Sequence, residues 1–459
     1  MSPPATSLPA VTEPAGPAAA GDDAERYLTT ADRIGWRICR DAIWSKGACN
    51  WLGWSTELVG SAYLPSMTAL PAALYGGVAG VALFLARLAS FTNNPLQRTT
   101  LQGATAALLA AADDFGGANG IGYFTGRSGI AYVLIEIGEL TESTALVKKG
   151  IQVLKATGNV ADDRNLIDLM NGYAGTIPAL MDVAQRYEED DLLDLAVRQA
   201  GRLVEWGHED DSGVSWPSTL GSRHLTGYSH GAAGIGLALL EAFRISGDPR
   251  MLDKGVGAFR YERNLYDAAA ENWPDLRSMP DDSASKRFVV AWCNGATGIG
   301  ISRLRAAELL PGDLRPPQEA DAAMRTAIKA LTAQQASAAR DFSYCHGLAG
   351  HADYLLQISQ RLKRGEFREL ADRLGSFGIA EFHEPGLPWP CGVPSGGETP
   401  ALMIGTAGIG HFYLRLAATE AVPSVLIVRP NIEPPERGRS RNEISYAGKD
   451  VLAEGRGLS

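Results

Sequence analysis

The chain has 459 residues, with 42 Lys plus Arg against 52 Asp plus Glu and a formal net charge of −10, a balance that excludes nucleic acid as its main partner, because phosphate binding needs concentrated positive charge. Apolar residues make up 45% and charged residues 20%, enough for a sizeable core in one large domain or about three ordinary ones. Glycine is the outlier, at 52 residues where roughly 7% of a chain is usual.

From the N-terminus, residues 1–23 are rich in Pro and Ala and lack a basic start or an apolar core. They predict a disordered leader rather than a secretory signal. The spacing over 24–43 predicts a helix. Seven segments then repeat one pattern, Gly-x-x-Gly followed by an apolar helical run, starting at Gly77, Gly126, Gly172, Gly231, Gly295, Gly347 and Gly405. By subtraction these glycines are 49, 46, 59, 64, 52 and 58 positions apart, which leaves room for two helices and two loops in each repeat. Between them, 141–157, 190–206 and 319–335 predict amphipathic helices with solvated faces. Residues 422–459, Pro- and Arg-containing without periodicity, predict a mostly disordered tail whose first half can still dock on the folded domain. No uninterrupted apolar run reaches 18 residues, so no intrinsic membrane anchor is expected. Five cysteines, an odd and sparse set, fit a reducing cytoplasm.

The helices after the glycines are apolar nearly all round, as at Ile235, Leu237, Leu239, Leu240 and Phe243, and are expected to be buried. Alternation with amphipathic helices gives two concentric layers over 24–421. The expected fold is therefore all-α, an α/α toroid of seven helical hairpins with the apolar helices inside, and strands play a minor part at most. An open solenoid stacks hairpins equally well but does not require inner helices this apolar.

In a closed ring, residues at the same offset before each first glycine gather at one end. Reading the two preceding residues in order gives Tyr75-Gly76, Phe124-Thr125, Met170-Asn171, Ser229-His230, Cys293-Asn294, Cys345-His346 and Met403-Ile404. Cys293 and Cys345 occupy one slot in consecutive repeats, and His346 follows the second. Two thiolates and an imidazole suit Zn²⁺, one ion per chain, and three protein ligands leave a fourth position for water or substrate. His351 and Cys391 are spare donors outside the slot; His351 is expected to pack or hydrogen-bond in its helix, and Cys391 to be an ordinary loop thiol. His230 is expected to point into the same mouth as a proton donor or acceptor. Asp168, four residues before Gly172, is placed either to orient His230 across adjacent repeats or to cap its own loop.

Trp292-Cys293-Asn294-Gly295 and Cys345-His346-Gly347, with Ser229-His230-Gly231 and Asp168, resemble the W-C-x-G, C-H-G and S-H-G marks of the lanthionine synthetase C-like family, over about residues 70–420. The resemblance implies an α/α toroid with one catalytic Zn²⁺ that adds peptide Cys thiols to dehydroalanine or dehydrobutyrine. It further implies a dehydrated precursor peptide as substrate and a separate dehydratase as partner. Two positions depart from the family pattern: Val289 and Asn294 stand where its members carry Arg and Tyr, and Arg287 lies two residues further back. Glutathione addition would use the same zinc site. A prenyltransferase subunit would be expected to use an Asp/Cys/His set, and a helical scaffold needs no such donors.

Overall fold

The computed structural model describes residues 20–430 except 60–61, 114–119, 219, 222, 278–285 and 338–339. Its elements in chain order begin with α1 (Ala20–Arg40) and two antiparallel hairpins, β1 (Ile43–Ser45) with β2 (Ala48–Asn50) and β3 (Leu52–Val59) with β4 (Ala62–Ala69). Next come α2 (Val78–Ala89), α3 (Pro95–Asp113), α4 (Arg127–Leu140), α5 (Thr144–Ala156), α6 (Tyr173–Tyr187) and α7 (Asp190–Trp206). A third small hairpin, β5 (His208–Asp210) with β6 (Gly213–Ser215), precedes α8 (Ala232–Ser246) and α9 (Pro249–Leu265). The series ends with α10 (Ala296–Leu309), α11 (Arg315–Ala336), α12 (Leu348–Leu362), α13 (Gly365–Gly378) and α14 (Thr406–Ala417). Each even-numbered helix follows a Gly-x-x-Gly and is buried along its length; in α8, Ile235, Leu237, Leu239 and Leu240 are buried and Phe243 half-buried. The odd-numbered helices bury one face only, as in α7, where Leu192, Leu195, Ala196, Ala200 and Leu203 point inward.

Closure is visible in the packing. Every inner helix touches the inner helix before and after it, and α14 returns to α2. Six hairpins pair an inner helix with the outer helix that follows it; the seventh is made by the ends of the chain, α14 against α1. The protein is thus an α/α toroid, and the open solenoid is excluded. Helix α1 takes in residues 20–23 of the expected leader, while 1–19 lie outside the described residues. The expected disordered tail also divides. Residues 422–430 pack on the toroid, burying Val422, Val425, Leu426 and Ile427, because this stretch is apolar enough to offset its ordering; 431–459 lie outside the described residues.

Two glycines show what the repeat demands. A Cβ on Gly298 would run into the carbonyl oxygen of Trp292, so the loop can lie against the helix start only without a side chain. Gly295 has φ +82°, a left-handed conformation that favours glycine, directly after the Cys293-Asn294 slot. The six other first glycines are extended, so close approach rather than backbone handedness selects them.

Backbone hydrogen bonds join the seven loops in a circle. The amide of Tyr75 donates to the carbonyl of Phe124, Phe124 to Met170, Leu169 to Ser229, Ser229 to Cys293, Trp292 to Cys345, Cys345 to Met403 and Met403 back to Tyr75, over 2.8–3.2 Å. Apart from Leu169 and Trp292, each one residue ahead of its slot, these are the slot residues expected from the sequence to gather at one end.

The closing seam makes a stability prediction. Tyr27 of α1 is 1% exposed, lies 6.1 Å from the Tyr413 ring of α14, and donates from its hydroxyl to the Asp372 carbonyl of α13 (3.1 Å). Tyr27→Ala is expected to cost about 3–5 kcal/mol in urea unfolding, and Tyr27→Phe, which keeps the ring, about 1 kcal/mol. An alanine cost below that of phenylalanine would show that closure does not depend on this seam.

Candidate functional site

Cys293 lies in the loop ahead of α10, and Cys345 and His346 lie in the loop ahead of α12. The bond from the Trp292 amide to the Cys345 carbonyl (2.8 Å) sets these loops side by side. The ligand atoms of the three residues all lie within 4.8 Å of one another, compatible with the edges of roughly 3.5–3.8 Å that follow from Zn–S of about 2.3 Å and Zn–N of about 2.0 Å in a tetrahedron. Trp292, fully buried, keeps the first cysteine in place. Its ring packs edge-on against Phe124 and Tyr228, and its Nε1 donates to the Leu426 carbonyl of the C-terminal segment (2.9 Å).

The donor chemistry fits a soft or borderline cation. A hydrogen bond with the Cys345 sulfur and burial push the Cys293 thiol well above its ordinary value, so a second charge on this sulfur pair calls for a cation beside it. His346 is oriented from behind: its Nε2 donates to the Gly392 carbonyl (2.8 Å) and lies 3.3 Å from Asp341 Oδ2. Both partners only accept, so Nε2 carries the hydrogen and, in the neutral imidazole, the Nδ1 lone pair is left for a metal. Burial opposes the charged imidazole, but the Cys293 hydrogen bond, Asp341 and Gly392 together hold its pKa up at about 9.

Cys391 does not join the donor group. Its sulfur lies 4.0 Å from the Thr399 carbonyl, and burial pushes its pKa up to about 12. Its neighbour contributes instead: a Cβ on Gly392 would come within 2.7 Å of His346 Nε2, so glycine lets that backbone reach the imidazole. His351 packs, as expected. It is buried, shares a hydrogen bond between Nδ1 and the Thr297 hydroxyl (2.8 Å), and has Gln334 Nε2 3.3 Å from its Nε2.

His351 also carries a pH prediction. Burial, and then the nearby His346, lower its pKa to about 4 from the ordinary 6.5. Below pH 6.5 the unfolded chain takes up a proton that the folded protein refuses. The contribution is therefore full above that pH and is lost as pH falls toward 4, in all on the order of 3 kcal/mol. Chelator-treated His351→Gln protein is expected to lose less urea stability than wild type between pH 7 and 4.5. Equal losses would assign the acid sensitivity to other groups.

Across the mouth, His230 Nδ1 donates to Asp168 Oδ2 over 2.6 Å, joining the loops ahead of α8 and α6. Asp168 fills both roles the sequence offered, because its Oδ1 also accepts the Asn171 amide of its own loop (2.7 Å). The His230 loop is fixed from behind by buried Glu262 of α9, whose Oε1 accepts the amides of Gly227 (2.8 Å) and Ala233 (3.1 Å). With Nδ1 committed to the carboxylate, Nε2 stays outside this pair.

His230, Cys293, Cys345 and His346 line one cavity of about 390 Å³ together with Tyr75, Met170, Ser229, Arg277, Arg287 and Val289. Two of these residues were not found from the sequence. Tyr75 occupies the first repeat's slot and lines the cavity together with Cys345. Arg277 lies on the connection between α9 and α10, outside the repeat phase. The one available signal was the interval of 64 residues from Gly231 to Gly295, the longest of the six, which marks an insertion there.

Fold and site together define an α/α toroid with a two-sulfur, one-imidazole donor set at its mouth. The model of the lanthionine synthetase C-like family matches residues 68–427, and the chain belongs to that family. Among solved structures it resembles nisin cyclase at 15% identity, covering 87% of this chain and 94% of that one with a TM-score of 0.61, a likeness of fold. Looser overlaps occur with an α-1,6-mannanase from Salegentibacter (12% identity, 86% and 99% covered, TM-score 0.43) and with cellobiose 2-epimerase from Spirochaeta thermophila (12%, 68% and 85%, 0.41). Scores this low carry no argument. Among the described residues no helix is long and apolar enough to cross a membrane.

Proposed function

We propose that the protein is a zinc-dependent thioether-forming cyclase, which adds Cys thiols of a dehydrated precursor peptide to dehydroalanine or dehydrobutyrine and so makes lanthionine or methyllanthionine rings. The observation that carries this reading is the convergence of Cys293, Cys345 and His346 on one cavity with the His230–Asp168 pair. The first three residues would hold Zn²⁺, which supplies the positive charge that converts a poorly nucleophilic thiol to a thiolate near neutral pH.

This chain's own residues do the rest. Asp341 and Gly392 keep the His346 imidazole facing the donor pair. The loop circle fixes the distance between the donor group and His230. As sulfur bonds to Cβ, the π electrons of the dehydro residue move toward its carbonyl oxygen, and Cα then needs a proton. Asp168 holds His230 with Nε2 toward the cavity and stabilises the imidazolium that delivers this proton. Dehydration of the precursor is assigned to a separate dehydratase.

The test is elemental analysis of the purified protein, followed by an assay on a dehydrated peptide carrying one Cys before and after chelation. About one zinc per chain, with chelation stopping thiol loss and zinc restoring it, is expected. A metal-free protein with full activity would overturn the reading.

A further inference from the structure

We propose that Arg277 supplies the oxyanion-binding charge of this site and holds the carbonyl oxygen of the dehydro residue as sulfur adds. The inference rests on the thiol-addition reading above and goes beyond it in naming the group that receives the developing negative charge.

The family position for an arginine is occupied here by Val289, an apolar side chain that can hold no anion. Arg287, two residues before Val289, is 70% exposed and approaches Asp275 no closer than 3.9 Å. Arg277 is built in differently. Its Nε and Nη2 donate to the two carboxylate oxygens of Asp275 at 2.9 and 3.0 Å, and its own amide donates to the same group at 3.1 Å. Asp275 is 1% exposed, and its amide in turn donates to the Arg287 carbonyl (2.8 Å), which ties the segment down. That fork leaves Nη1 outside the Asp275 pair. The side chain lines the cavity of the two cysteines and His230. A guanidinium locked by a buried carboxylate through Nε and Nη2, on a side chain that lines the reaction cavity, is a preorganised anion site.

The step balances without a further reagent. The thiolate electron pair forms the S–Cβ bond, and the Cα=Cβ π pair moves to leave an enolate with its charge on the carbonyl oxygen beside Arg277. A proton from His230 to Cα then restores C=O. The proton lost by the thiol at the start equals the one gained at Cα, and nothing is oxidised or reduced. Placing positive charge at the oxygen rather than at sulfur stabilises the addition and not the bound thiol, so it acts on kcat more than on KM.

The experiment compares wild type, Arg277→Gln and Arg277→Lys, each loaded with zinc for kinetics and with cobalt for spectroscopy. On a dehydrated peptide with one Cys, Arg277→Gln is expected to lose about 10²–10³ in kcat with KM and zinc content little changed, and Arg277→Lys to recover at least tenfold of that loss. Independently of turnover, the cobalt proteins are titrated with 3-mercaptopropionate and with 3-mercaptopropionamide. Wild type is expected to bind the anionic thiol about tenfold more tightly, and Arg277→Gln to lose that preference while still binding the amide. If Arg277→Gln keeps both kcat and the preference, the assignment is overturned. If neither thiol perturbs the wild-type cobalt spectrum, the thiol-addition reading falls and the assignment with it. Arg277→Lys keeps the test valid should the glutamine variant fail to fold beside an unpaired Asp275.

Discussion

Cys345→Ala and Cys293→Ala proteins are each expected to keep the helical toroid and to lose both bound zinc and thiol addition. The argument is one of charge and ligand count. With three protein donors, removal of one leaves two, and among the described residues no third cysteine lines the cavity, since Cys391 lies near Thr399 outside the donor group. Cost to the fold should be small, because the sulfur is a small side chain on a loop whose backbone is fixed by the Met403 and Trp292 bonds. Even groups behind a ligand usually account for 10–100-fold in metal affinity, and a ligand itself should exceed that. Elemental analysis beside far-ultraviolet circular dichroism decides it: zinc retained by both variants would sink the proposed metal centre.

His230→Gln is expected to retain zinc and lose about 10²–10⁴ of the addition rate, the usual worth of a positioned acid or base. Asp168→Asn should fall in the same direction, because an amide in place of the carboxylate no longer fixes Nδ1–H or stabilises the imidazolium across the 2.6 Å bond. The two losses should not add, since the residues act as one unit. Stereochemistry offers a second readout. In deuterated water wild type should label Cα as a single diastereomer, and a protein lacking His230 should give a mixture from solvent protonation. A rate in His230→Gln within threefold of wild type would remove this residue from the mechanism.

Much of this arrangement was legible in the sequence because it is written in glycine. Wherever a loop must lie against an inner helix start, a Cβ has no room, as at Gly298, so the repeat phase shows through low overall similarity. The phase then aligned Cys293 with Cys345 and placed His230 in the same mouth. Features out of phase were not legible. Arg277 sits on an insertion, and only the three-dimensional pairing of Asp275 with the Arg287 backbone brings it to the cavity. Tyr75 was in phase but carried no signal of its own, since a tyrosine before a helix more often packs than ligates. Which residues of the tail dock was not legible, because four apolar residues stand among Pro and Arg and their partners, such as Trp292, lie far away in sequence. The pairing of α1 with α14 likewise depends on contacts no local pattern encodes.

The bond from the Met403 amide to the Tyr75 carbonyl links positions 403 − 75 = 328 residues apart. An open repeat array can lose or gain a unit at either end and keep the rest. A hoop has no end to shorten. Removing any one hairpin, even on the side opposite Cys293 and Cys345, would leave the remaining six unable to meet, and the donor group would splay with them. The reactive mouth can therefore be assembled only after the first and last segments of the chain have found each other. Catalytic competence would then be the last property the folding chain acquires and the first it surrenders.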